Sequence, residues 1–127
     1  MLKRTAKILI VDDTDIMRFA VCERLQWFGF AKENIREAKN GRVALEILRE
    51  TRADFVISDV NMPVMRGIEL VRAIRLDHDL KAIPVLLMST DHDPVLIELA
   101  LSAGANGFVD KNHIGETLEK IIDDIFP

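Results

Sequence analysis

The chain has 127 residues, of which 49% are apolar and 30% charged, with a formal net charge of −4. That length holds one domain and leaves no room for a second core, and the balance excludes general disorder. The acidic excess argues against a nucleic-acid grip, which needs a basic face to neutralise phosphates.

The opening MLKRTAKILIVDD carries an apolar run, Ile8 to Val11, that passes directly into two acids. A secretory leader does not have this pattern, and no stretch reaches bilayer-spanning length. Lys3, Arg4 and Lys7 read as a solvated tail as readily as a basic patch. The single cysteine, Cys22, excludes an intramolecular disulfide and fits a reducing cytoplasm, where it reads as a buried helix residue rather than a nucleophile.

Five β-rich runs follow in order: Lys7–Val11, Asn34–Ala38, Phe55–Ser58, Val85–Met88 and Gly107–Val109. Several are apolar without interruption, as parallel strands covered on both faces require. Helical periodicity fills the gaps. Ile16, Ala20, Arg24 and Phe28 trace one side of the first helix, and Met17, Val21 and Leu25 the adjoining stripe. Val43, Leu45, Ile47 and Leu48 carry the second helix, and Ile68, Val71, Ala73 and Ile74 the third. Asn40–Gly41 and Gly104 are loop or helix-end signals. Asp93–Pro94 reads as an N-cap with proline at the first helical position. The last helix is expected from Gly115 or Glu116 to Phe126, with no linker, repeat or low-complexity tail. Such alternation makes a doubly wound α/β sandwich, whose ligands bind outside the carboxyl ends of the strands.

The residues at those ends are Asp12–Asp13, Ser58–Asp59 with Asn61 beyond, Ser89–Thr90–Asp91, and Asp110–Lys111. If strands one, three, four and five lie side by side, Asp12, Asp13, Asp59, Ser89 and Lys111 converge. Three adjacent carboxylates need a compensating cation, and Mg2+, which takes few protein oxygens and keeps its waters, suits them. A carboxylate beside a metal and a lysine is equipped to act as nucleophile in phosphoryl transfer. Each part alone has a plainer reading. Asp12 or Asp13 could cap a helix, Asp59 could be a solvated loop acid, Ser89 and Thr90 turn residues, and Lys111 a surface charge. Convergence on one sheet edge is what favours the chemical reading.

The segments ILIVDD, SDVNMP, PVLLMST and AGANGFVDK, with 30 positions from Asp59 to Ser89 and 22 from Ser89 to Lys111, resemble the response-regulator receiver domain of two-component signalling. The likeness is greatest to the single-domain chemotaxis type. It implies a five-stranded parallel sheet in the flavodoxin-like order 2-1-3-4-5, a (βα)5 fold, with residues 1–127 forming a single receiver domain. It implies Asp59 as phosphoacceptor, with Asp13, Asp59 and the backbone carbonyl of Asn61 as magnesium ligands and Asp12 acting mainly through metal-bound water. Ser89 takes the switch-hydroxyl position, Lys111 holds a phosphoryl oxygen, and Phe108 matches the aromatic switch position, although a plain core phenylalanine would read the same. Donors would be a histidine kinase, a phosphotransfer protein or small phosphorylated compounds. The domain would catalyse only its own phosphorylation and dephosphorylation, and so would not be a conventional enzyme. Asn61 and Asp91 flank the expected route of attacking water, which implies a short-lived phosphoryl state.

Three positions depart from the family pattern. Asn112 replaces the usual proline, often cis, after the lysine; a cis bond before asparagine costs about 2.5–4 kcal/mol, so a trans bond is expected. Thr90 stands where a small residue is common, and Arg66 replaces a frequent acid before Gly67. The chain stops after the last helix, which fits either a single-domain regulator or an excised receiver. Output is expected through the face made by the fourth helix, fifth strand and fifth helix, toward a downstream protein or a second copy, because Val95, Leu96, Ile97, Leu99 and Leu101 wrap more than one side. A broad buried arc explains that spread equally well. An aspartyl phosphatase would want a second acid at Asn61 and a cap. A nucleotide- or flavin-binding fold would want a phosphate-cradling loop where Asp12–Asp13 stand. A degenerate receiver serving as a docking scaffold remains the alternative. His78, His92 and His113 lack ligand spacing, so no structural metal is expected.

Overall fold

The computed structural model describes residues 3–125. Strands β1 (Ile8–Val11), β2 (Ile35–Ala38), β3 (Phe55–Asp59), β4 (Val85–Ser89) and β5 (Gly107–Asp110) alternate with helices α1 (Asp15–Trp27), α2 (Gly41–Glu50), α3 (Gly67–Leu76), α4 (Pro94–Ala103) and α5 (Ile114–Ile125). The sheet order is β2-β1-β3-β4-β5, parallel throughout. This is the doubly wound, flavodoxin-like (βα)5 arrangement. Phe126, expected to end the last helix, lies outside the described residues.

Continuous apolar runs follow from burial on both faces. In β1, Ile8 and Ile10 pack with Val21, Leu25, Leu118 and Ile122 in one layer. Leu9 and Val11 enter the other layer with Leu45, Leu48, Leu70 and Ile74. Helices α1 and α5 therefore cover one side, and α2, α3 and α4 the other. Each such aliphatic side chain contributes about 1.5–3 kcal/mol when fully buried.

Helix α1 corrects the expected apolar arc. The Met17–Val21–Leu25 stripe packs on the sheet with Cys22 and Phe28 at its margin, while Ile16 is 82% and Phe19 66% exposed. A sheet surface contacts a narrower strip of helix than the apolar residues span, so one flank stays in solvent. Cys22 is half-buried there, and burial pushes its thiol up, which suits packing rather than nucleophilic chemistry. In α2 and α3 the centre of the buried stripe includes Ala44 and Leu70, which the periodicity reading had left out.

Caps set the helix starts. Asn40 accepts from the Val43 N–H at 2.9 Å and Asp93 from the Val95 N–H at 2.9 Å, with Pro94 in the first turn. Gly104 closes α4 in the left-handed region at φ 111°. Beside it the Arg75 guanidinium donates to the carbonyls of Gly104 (2.9 Å), Lys81 (3.0 Å) and Ile83 (2.6 Å), and to Asn106 Oδ1 (2.7 Å). One side chain thereby fixes the corner where α3, α4, β4 and β5 meet.

The loop from β3 to α3 contains the one non-glycine residue with positive φ among those described, Val64 at 71°, inside a tight turn closed by Met65 N–H on Pro63 O at 2.7 Å. A β-branched residue is disfavoured there, and Val64 is 72% exposed, so little packing compensates. Val64→Gly is expected to stabilise the protein by about 0.5–1 kcal/mol, the relieved strain exceeding the added chain entropy. Urea denaturation checks this; a less stable variant would mean that the valine side chain holds the turn.

Candidate functional site

Parallel strands bring all five carboxyl ends to one rim, and the adjacency of β1, β3, β4 and β5 decides which residues meet. Asp12 follows β1, its N–H continuing the ladder to Ala38 O at 3.0 Å. Asp59 is the last residue of β3, in register with Met88, and Ser89 is the last of β4, in register with Asp110. Asp59 and Ser89 thus terminate their strands, whereas they were expected just beyond them. Sheet pairing fixes their backbones, which orients side chains better than a free loop does.

Asp12 is fully buried. Its Oδ1 accepts from Thr14 N–H at 2.9 Å and Thr14 Oγ1–H at 3.0 Å, and Thr14 in turn caps α1. The helix-capping role considered for Asp12 therefore belongs to Thr14, which Asp12 holds in place. The Arg18 guanidinium donates to the Asp12 carbonyl at 2.7 Å and pairs with Asp15 and Glu37.

Lys111 reaches across from the turn after β5. Its Nζ lies 2.9 Å from Asp12 Oδ2 and 3.1 Å from Asp59 Oδ2, with the side chain only 13% exposed. Asp59 is 6% exposed. Burial pushes its carboxyl above the ordinary value; the Lys111 ammonium opposes this and the Asp12 charge adds to it. Burial also works against the Lys111 charge, but the two carboxylates outweigh it and hold the ammonium above its usual value.

Asp13 sits exposed at the mouth, and oxygens of Asp12, Asp13 and Asp59 all lie within 4.8 Å of one another. One ammonium cannot neutralise three carboxylates. Asp12 Oδ2 meets Lys111 only as an ion pair, without an aligned hydrogen bond, and is otherwise unsatisfied. An all-oxygen donor set, surplus negative charge and a buried oxygen lacking a hydrogen bond fit a hard divalent cation.

The remaining expected residues surround this cluster. The Asn61 N–H donates to Asp59 Oδ1 at 3.4 Å, and Asn61 itself is exposed. Ser89 is buried, and its Oγ accepts from Asp91 N–H at 3.0 Å. Thr90 is exposed beside it. Phe108 lies two residues before the end of β5, half-buried, opposite Leu87 and packed in the α2–α3–α4 layer.

Residues 8–123 match the family model for the response regulator receiver domain. The chain belongs to that family. It is 41% identical over 126 residues to chemotaxis protein CheY-3 of Vibrio cholerae, covering 99% of this chain and 95% of that protein. Identity to chemotaxis protein CheY of Pseudomonas aeruginosa is 42% over 120 residues, covering 94% and 95%. Among solved structures, Vibrio cholerae CheY4 superposes with a TM-score of 0.84 at 38% identity, covering 94% of this chain and 98% of that one. Receiver domains are regulators, and among the described residues of this one no helix is long and apolar enough to cross a membrane.

Two of the three departures of this receiver, at Asn112 and Arg66, have structural accounts. All described peptide bonds are trans, Lys111–Asn112 included. Lys111–His113 forms a short 3-10 turn leading directly into α5. Arg66 precedes α3 with an exposed side chain, its N–H donating to Glu69 Oε1 at 3.2 Å, as a surface substitution would.

Two features escaped the sequence reading. Gly67 lies so close to the site that a Cβ there would stand 2.3 Å from Asp59 O. Its only signal was a glycine opening a helical pattern. The second feature is Asp110, whose Oδ1 meets His92 Nε2 at 3.0 Å and whose Oδ2 meets His113 Nδ1 at 2.8 Å. The two histidines are 21 positions apart in the chain, and no local spacing announces their meeting.

Proposed function

We propose that this protein is a phosphoacceptor switch of the single-domain chemotaxis type, in which residues 1–127 form one receiver domain and Asp59 is the acceptor. The observation that carries this reading is the Lys111 ammonium set between buried Asp12 and Asp59, with Asp13 alongside. Mg2+ would be held by Asp13, Asp59 and the Asn61 backbone carbonyl, with Asp12 acting through bound water. When bound, it offsets the charge gathering on the transferred group.

The phosphoryl donor is a histidine kinase or a phosphotransfer protein. An Asp59 carboxylate oxygen attacks phosphorus as the phosphorus–nitrogen bond of the donor phosphohistidine breaks, and the departing imidazole takes up a proton. Lys111 exchanges a carboxylate contact for a phosphoryl oxygen. Ser89 gives up its Asp91 N–H partner to approach another, and Phe108 turns inward into the space this opens. Asn61 and Asp91 flank the path of attacking water and keep the phosphoryl state short-lived. This is self-modification followed by self-hydrolysis and not turnover of a separate substrate.

The signal leaves through the face made by α4, β5 and α5. Val95, Leu99 and Leu101 are exposed on α4, whose single buried residue is Ala100. That apolar excess suits a downstream protein or a second copy of the chain. No direct nucleic-acid contact and no membrane insertion are part of this reading, and the unpaired Cys22 suits the cytoplasm.

Incubation with acetyl phosphate and magnesium, read by intact mass, tests the reading. One phosphoryl group should add to the wild type, none without magnesium, and none to Asp59→Asn. Should no adduct form, beryllofluoride, a stable phosphoryl mimic, separates rapid loss from inability. Failure to bind it would favour the docking-scaffold alternative.

A further inference from the structure

Asp110 ends β5 immediately before Lys111, and its carboxylate is engaged from three directions. His92 comes from the loop after β4, three residues beyond Ser89. His113 comes from the turn after β5. The Asn112 N–H donates to Oδ1 at 2.8 Å, closing that turn. A proline at position 112 could donate nothing, so in this chain a carboxylate and its partners do the work of fixing the turn.

We propose that Asp110, gripped by His92 and His113, is a positioning residue: the clamp fixes the turn that aims Lys111 at Asp59 and ties it to the loop that follows Ser89. This rests on the phosphoacceptor reading of Asp59. Lys111 can bridge Asp12 and Asp59 at 2.9 and 3.1 Å only if its backbone is held, and a one-turn connection between a strand and a helix has few other restraints. The same grip links the two segments that must move together if Ser89 and Lys111 are to meet one phosphoryl group.

The clamp responds to protons. The hydrogen bond to Asp110 and its charge hold the His113 imidazole above its ordinary 6.5, and the same contact holds Asp110 below the usual carboxylate range. The His113 contact is therefore an ion pair below that raised value and loses its charge as pH rises through it. Other charges nearby are Glu116 on α5, which favours protonation of His113, Arg24 of α1 against Gly115, Lys111 itself, and Asp91 and Asp93 flanking His92 in its loop. The clamp should be tightest in mild acid and loosen in mild base.

Two measurements on the whole chain test this. In a histidine NMR titration, His113 should titrate above the ordinary value in wild type and fall back in Asp110→Asn; an unchanged midpoint overturns the clamp. Magnesium-dependent beryllofluoride affinity is then compared between wild type and His92→Gln/His113→Gln from about pH 5.5 to about pH 8.5. Taking the ratio at each pH cancels the pH dependence of the probe and of Asp59. Wild type should bind about threefold to tenfold tighter at the acid end, the ratio shrinking toward one as pH rises. A flat ratio, with both proteins binding, overturns the positioning role alone. No binding by wild type at any pH overturns the phosphoacceptor reading, and the role of the clamp with it. Both glutamines stand at exposed positions, and the NMR spectra of the same samples show that the fold is kept.

Discussion

Gly67→Ala is expected to cost about 2–4 kcal/mol of stability and to abolish phosphoryl loading of Asp59. The added Cβ would lie 2.3 Å from Asp59 O, 3.0 Å from Val60 Cα and 3.0 Å from Leu87 Cδ2. Two of those three neighbours are backbone. Gly67 N–H also donates to Val60 O at 3.0 Å, so α3 is tethered to the segment it would have to leave. Relief requires moving either α3 or the end of β3, and the latter carries Asp59, the proposed acceptor. The φ of Gly67 does not lie in the left-handed region, so the effect is steric and not conformational. Gly115→Ala supplies the comparison. The three atoms nearest its Cβ would all belong to the Arg24 guanidinium, at 3.0–3.2 Å, the movable end of a flexible side chain. Within α5 that change should be neutral or stabilising by up to about 1 kcal/mol. Urea denaturation of both variants, with the acetyl phosphate mass assay, decides the matter. Equal stabilities for the two would mean that the close approach at Gly67 is easily relaxed.

The second large effect is expected at Lys111. Lys111→Ala leaves Asp12 and Asp59 buried without their shared cation, and the metal-free protein should lose about 2–4 kcal/mol near neutral pH. The pH dependence has a definite sign. Asp59 already has its carboxyl raised by burial, with Lys111 opposing and Asp12 reinforcing that rise. Removing the lysine raises it further. A carboxyl raised in the folded state binds its proton more tightly there than in the unfolded chain, whose value stays near 3.8. Folding stability therefore falls as pH rises from the unfolded value through the raised one, and is regained as pH falls back across that window. The deficit of the variant should be largest at neutral pH, shrink in acid, and shrink also on adding magnesium, since without the competing ammonium the variant should bind the ion more tightly and gain more stability from it than the wild type does. Denaturation with a chelator at several pH values, and again with magnesium, measures all three. A deficit independent of both pH and metal would show that Lys111 acts by packing its stem and not by its charge.

Both effects arise where the requirements of the site oppose those of the fold. Three acids within 4.8 Å repel one another in the metal-free protein, and one buried ammonium cannot neutralise all three. The approach of α3 to β3 brings Asp59 under a helix start, and only glycine permits it. The clamp at Asp110 belongs to the same pattern, because it restrains a turn in which asparagine has taken the place of proline.

The sequence by itself determined the class of fold and the residues on the rim. Runs such as Ile8–Val11 and Val85–Met88 are apolar on both faces, which only a covered parallel sheet accommodates, and acids or hydroxyls stand where each run stops. Asn40, Asp93–Pro94 and Gly104 marked helix ends because capping is local chemistry, decided within a few residues. Tertiary structure alone decided which partners those residues take. Helical periodicity marked two apolar stripes on α1, but the sheet buries only Val21 and Leu25 fully, takes Met17, Cys22 and Phe28 in part, and leaves Ile16 and Phe19 in solvent. Lys111 could have been a surface charge; pairing of β4 with β5 and β3 with β4 carries it to Asp12 and Asp59. Gly67 against Asp59, and His92 with His113 on Asp110, join segments whose separation in the chain bears no relation to their distance in space. Periodicity and capping record what a residue faces within its own element, whereas contacts between elements depend on strand order and register, which exist only once the sheet is assembled.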